Sequence, residues 1–140
     1  MRRGGIGVVV GLLGLPALLA GCAGGGAPDP VGEWAGTLHT EQGRCPDAMP
    51  SRLLVGSENI SFVPGDGTLV LKGVRHPGDP ALHAQLMLRD ADHKPLPMVF
   101  EGAQAADGKT IQGTYGTPSC RASVTLRRPD AHPLQRLFGG

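Results

Sequence analysis

Leu82-His83-Ala84-Gln85-Leu86-Met87-Leu88-Arg89 puts Leu82, Ala84, Leu86 and Leu88 on one side of an extended chain and His83, Gln85, Met87 and Arg89 on the other. Apolar and polar residues in strict alternation mark a half-buried β-strand, whose side chains point to opposite faces in turn. The same period recurs on both sides of this run. Toward the C-terminus, Met98 and Phe100 oppose Val99 and Glu101, while Ile111, Gly113 and Tyr115 oppose Gln112 and Thr114. Ala122, Val124 and Leu126 then oppose Ser123, Thr125 and Arg127. Toward the N-terminus, Trp34 and Leu38 share a face within Val31–His39, with Glu33 and Thr37 opposite. Arg52–Ser57, Asn59–Val63 and Thr68–Lys72 read as further short strands.

Turn chemistry separates these runs: Pro64-Gly65-Asp66-Gly67, His76-Pro77-Gly78-Asp79-Pro80, Asp90-Ala91-Asp92-His93 and Asp107-Gly108. Glycine supplies positive φ, proline presets φ, and aspartate bonds its own backbone, so each cluster turns the chain for a different reason. No amphipathic helix and no internal repeat is evident between Val31 and Arg128. Eight short strands joined by tight turns predict an all-β domain, a small antiparallel up-and-down barrel that closes to remove its edges. A β-sandwich is the alternative. Cys45 comes shortly after the first strand and Cys120 opens the last. In a closed meander those strands pair antiparallel, so the sequence predicts a Cys45–Cys120 disulfide stapling the closure. Without a CxxC, the two cysteines lack the spacing of a zinc site.

The N-terminus is a different material. Met1-Arg2-Arg3 is positive, and Ile6–Leu19 is apolar or glycine apart from Pro16. At about 1.5 Å per residue the apolar run would span roughly 21 Å as a helix, short of a bilayer core of roughly 30 Å. A positive start, a short apolar run and then small residues read as an export signal. Leu19-Ala20-Gly21-Cys22 resembles the bacterial lipobox. That resemblance implies a signal peptide over 1–21, cleavage before Cys22 and acylation of the Cys22 thiol and new amine. It implies as partners a lipid bilayer, through acylated Cys22, and the lipoprotein processing and sorting machinery. The alternative is a secreted chain cut near Ala23 without lipid. Residues 22–30, including Gly24-Gly25-Gly26 and ending in Pro28-Asp29-Pro30, read as the lipidated cysteine and a flexible linker. Residues 31–128 form the barrel and 129–140 a tail with Leu134, Leu137 and Phe138 at helical spacing, which either caps a barrel mouth or frays. With Cys22 acylated, the remaining two cysteines are an even set in an oxidising compartment. Ala23 rather than aspartate after the modified cysteine leans toward the outer membrane, with the domain facing the periplasm.

Val31-Gly32-Glu33-Trp34-Ala35-Gly36 resembles the Gly-x-Trp opening of lipocalin-like and avidin-like barrels, which implies that Trp34 packs at a closed barrel end. In size, anchor and paired cysteines the chain is also similar to membrane-bound C-type lysozyme inhibitors, without a residue-by-residue match to their inhibitory loop.

Composition excludes several roles. The chain holds 13 Lys plus Arg and 12 Asp plus Glu. Loss of Arg2 and Arg3 leaves 11 against 12, a net charge of −1, with no footprint for nucleic acid. His39, His76, His83, His93 and His132 form neither HxH nor HExxH, so solvated histidines are favoured over a metal site. Asp90, Asp92 and His93 invite acid–base or calcium chemistry, but a hairpin loop accounts for them. No GxSxG, Walker loop or GxGxxG occurs, and neither enzyme activity nor a cofactor is expected. Trp34 and Tyr115 are the candidate ligand-binding aromatics, for a small apolar ligand, with core filling the competing reading. Gly113–Cys120 is the candidate recognition loop, of which Thr114–Ser119 would protrude toward a periplasmic protein; the competing reading is a glycine-rich turn held by its cysteine.

Overall fold

The computed structural model describes residues 28–65 and 67–129. The expected signal peptide, Cys22, His132 and the tail beyond Pro129 lie outside them. Eight strands follow in chain order: β1 (Gly32–Gly43), β2 (Pro50–Val55), β3 (Asn59–Val63), β4 (Leu71–Val74), β5 (Ala81–Arg89), β6 (Pro95–Gln104), β7 (Thr110–Thr117) and β8 (Cys120–Arg127). Each pairs antiparallel with the next, and β1 pairs antiparallel with β8, so the sheet is a closed up-and-down barrel rather than a sandwich.

The alternation in sequence is the alternation in burial. Leu82 and Ala84 are buried while His83, Gln85 and Met87 are exposed. On β8, Ala122, Val124 and Leu126 are buried and Arg121 and Arg127 exposed. Inside, Trp34, Leu53, Phe62, Leu71, Phe100 and Ile111 are all fully enclosed. Glu33, Arg52, Lys72, Glu101 and Gln112 face outward. Apolar inside and polar outside is the pattern of a water-facing barrel, the reverse of a lipid-embedded one.

Where strand limits differ from expectation, the cause is local. β1 runs to Gly43 instead of stopping at His39, and its register against β8 shifts between Thr40 and Gln42. A bulge there breaks the period-two signal that reading by alternation needs. β4 begins at Leu71 rather than Thr68. β6 begins at Pro95 and includes Pro97.

Two close approaches depend on glycine. Gly43 has φ +69°, and a Cβ there would collide with the Ser119 carbonyl. This turn directs the chain to Cys45, which bonds Cys120 across a Cα–Cα distance of 5.4 Å. Gly102 and Gly113 are cross-strand partners, and the Phe100 ring lies against both. The ring fills the space two absent side chains leave, an aromatic covering glycine across a sheet. Phe100 in turn stacks on Phe62 at 4.2 Å between centroids.

Candidate functional site

The barrel has two unlike ends. One gathers the start of β1, the end of β8 and the β2–β3, β4–β5 and β6–β7 connections. It is sealed. Trp34 is fully buried there, its indole N–H donating to the Pro30 carbonyl at 2.8 Å. The Arg128 guanidinium lies 4.4 Å from the Trp34 ring centroid and donates to the Val31 and Asp29 carbonyls. Arg75 ties the same segment down, pairing with Asp29 at 2.6 Å while donating to the Gly56 carbonyl. The Val31 amide and then Arg75 hold the Asp29 carboxyl below its ordinary value of 3.8. Pro28 lies against Gly108. Pro28–Pro30, read from sequence as the end of a flexible linker, is therefore strapped across the barrel end. Its partners, Arg75 and Arg128, are too distant in sequence for local composition to reveal them. A cleft at this end contains Asp29 and Arg75, but the two already neutralise each other.

The other end carries the disulfide and is open. The β1–β2 loop is fixed by Cys45–Cys120 and by the Asp47 carboxylate accepting from Thr40 at 2.9 Å. Pro46 lies against Gly65, whose amide donates to the buried Ser51 hydroxyl at 3.0 Å. These contacts lock the β1–β2 and β3–β4 loops into one rim. Within it lies a cavity of about 250 Å³ whose lining includes Arg44, Leu69, Leu96, Met98, Tyr115 and Ser119. Leu69, Leu86, Leu88 and Leu96 are only partly buried against the core. The apolar interior thus reaches water at this mouth.

Tyr115 is the polar group of the cavity floor. Its residue is 2% exposed, and burial raises the phenol above its ordinary value of 10.0, so it stays a neutral donor through the physiological range. Among the described residues its hydroxyl has no hydrogen-bond partner, yet no enclosed side-chain polar atom lacks one. The hydroxyl is therefore not sealed from water. Arg44, exposed on the rim, has neither an ion pair nor a hydrogen bond among the described residues.

Of the two aromatics singled out in sequence, the structure brings only Tyr115 to a cavity. Trp34 plugs the opposite end, fully buried with its N–H satisfied, and is a core residue. The Gly113–Cys120 segment is not a protruding loop. Gly113–Thr117 belongs to β7, paired with β6 and β8, and only Pro118 and Ser119 turn the hairpin. Gly113 serves close packing against Phe100, whereas Gly116 has room for a side chain. The outside of this hairpin borders a larger concavity of about 480 Å³ with Gln42, Glu101 and Arg121. That groove is open to water, and no enclosed, unpartnered polar group points into it. Asp90 bonds the amides of Asp92 and Lys94 at 2.9 Å each, and His93 takes φ 61° in the same turn. His83 pairs across the outer wall with Glu101 at 3.5 Å. Among the described residues no three of His, Cys, Asp and Glu come together as metal ligands would.

The mouth residues Arg44, Leu69 and Leu96 were not singled out in sequence. One signal was available for Arg44: it precedes the cysteine that staples the rim. Fold and site together define a class: small, closed, disulfide-stapled eight-stranded barrels, sealed at the end where the chain enters and open at the other. No protein-family model, curated protein or solved structure matches the chain.

Proposed function

We propose that this is a non-enzymatic lipoprotein of the cell envelope, anchored by acylated Cys22, whose barrel captures a ligand or partner at its open mouth. Leu19-Ala20-Gly21-Cys22 after a short apolar run supports the anchor. The observation that carries the binding reading is the polarity of the barrel. Chain entry at Asp29 and exit at Arg128 share the strapped, sealed end, and the apolar cavity opens at the other. From Cys22 to Pro28 the chain can reach at most about 20 Å. A lipid on Cys22 would then hold the sealed end near the bilayer, with the mouth free to face outward. One acyl chain gives marginal binding, whereas two or three hold a protein in the membrane. The anchored leaflet is, on this reading, the periplasmic face of the outer membrane.

The test is fractionation of bacteria expressing the full chain beside Cys22→Ser. The unaltered chain should incorporate labelled palmitate and sediment with membranes, and Cys22→Ser should lose both. Equal labelling and sedimentation of the two would refute the anchor. For the mouth, a photocrosslinker at Leu69 should capture an envelope component that the same group at Gln112, on the outer wall, does not.

A further inference from the structure

We infer that the mouth takes a small amphipathic carboxylate, its apolar body between Leu69, Leu96 and Met98 and its charged head at Arg44 on the rim. This rests on the binding reading above and names the ligand class.

Size comes first. A cavity of about 250 Å³ is just below the roughly 300–1,000 Å³ of drug-sized sites. A medium-chain or aromatic acid fits; a diacyl lipid does not. The interior beyond it is closed, because Phe62 and Phe100 stack across the barrel and Phe62 lies 6.0 Å from Tyr115. A ligand therefore stops at the floor instead of threading the barrel.

Charge comes second. Among the described residues, Arg44 is the one basic side chain of the cavity lining, and it carries no partner there. The Asp47 carboxylate on the same loop accepts from the Thr40 hydroxyl and forms no ion pair with Arg44. A guanidinium beside apolar walls favours an anion with an apolar body over a neutral alkane or a cation. The rim is pre-organised by the disulfide and by the Pro46–Gly65 contact, which lowers the ordering cost of binding.

The experiment is calorimetric titration of the full exported chain in phospholipid nanodiscs with octanoate and with 1-octanol, against empty nanodiscs. Octanoate should bind about fivefold to tenfold more tightly than octanol, less than a desolvated charge-assisted hydrogen bond gives because Arg44 is exposed. Arg44→Gln should abolish that preference, and Leu96→Trp should fill the cavity and remove both ligands. Each variant's fold is checked by Trp34 fluorescence, which reports from the far end. Octanol binding as tightly as octanoate, indifference to Arg44→Gln, or no binding of either ligand to folded protein would overturn the carboxylate site. Failure of the anchor would show differently, as exported protein in the soluble fraction, on which the same titration can be run.

Discussion

Replacing Gly113 by alanine tests the packing that closes the barrel interior. An ideal Cβ at Gly113 would sit 2.7 Å from Phe100 Cε2 and 3.0 Å from the Glu101 carbonyl oxygen. Real Cβ atoms do not come that close, so the Phe100 ring or the β6–β7 spacing must give. Overpacking of a filled core costs about 1–3 kcal/mol. Against this, glycine to alanine removes about 0.4–1 kcal/mol of unfolded-state freedom. The net expectation is a loss of about 1–2 kcal/mol, which for a domain of this size lowers Tm by roughly 4–16 °C. Urea unfolding followed by Trp34 fluorescence measures it, since the chain has a single tryptophan and it is fully buried. Two controls sharpen the result. Gly116→Ala, whose Cβ would meet nothing nearer than the Cys120 carbonyl at 3.8 Å, should change stability by no more than about 0.5 kcal/mol. Phe100→Leu should cost stability alone but relieve Gly113→Ala, giving a favourable coupling of about 1 kcal/mol in the double-mutant cycle. A neutral Gly113→Ala, or additive effects of the pair, would refute the ring-on-glycine packing.

Removing the staple with Cys45→Ala and Cys120→Ala together should cost about 4.5 kcal/mol by loop-closure entropy for a 75-residue separation; denaturant titration should find a much lower midpoint, and a loss under about 1 kcal/mol would show that the bond adds little constraint. The lone tyrosine can be titrated by absorbance at 295 nm, with a midpoint above 10.0 in the folded chain. Because folding raises that value, stability should fall as pH climbs past 10, and Tyr115→Phe should remove this part of the alkaline loss. Asp29 has the opposite sign. Its folded value lies below 3.8, so its contribution is complete above that pH and fades as pH falls through the folded value; Asp29→Asn should flatten that limb of an acid titration. Arg128→Ala should uncover Trp34, shifting its emission to the red and costing about 1 kcal/mol through the lost stacking and carbonyl contacts.

The strands were legible wherever one wall faces water and the other the core. On β5 and β8 every second residue carries the signal, and the two cysteines near the ends of the outermost strands marked where the sheet closes. Legibility ended where the chain departs from that period. The Thr40–Gln42 bulge hid the last part of β1, and the prolines at 95 and 97 hid the start of β6. Gly113 alternates with its neighbours as a strand residue but also opens the glycine-rich stretch read as a recognition loop, and nothing local shows that it is needed under a ring thirteen positions earlier in the chain. The open mouth was the least visible part. Arg44, Leu69, Leu96 and Tyr115 come from four separate segments, and only closure of the barrel makes them neighbours. Trp34 was visible as a special residue, but its partner Arg128 lies 94 positions later and no local pattern joins them.

Anchoring through one thiol is the step on which the envelope role depends, and the mass of the mature protein reads it directly. Protein extracted from the membranes of expressing cells should begin at Cys22, carry two or three acyl chains, and contain the Cys45–Cys120 bond. A mature chain recovered from the soluble fraction, unacylated or beginning at any other residue, would contradict it.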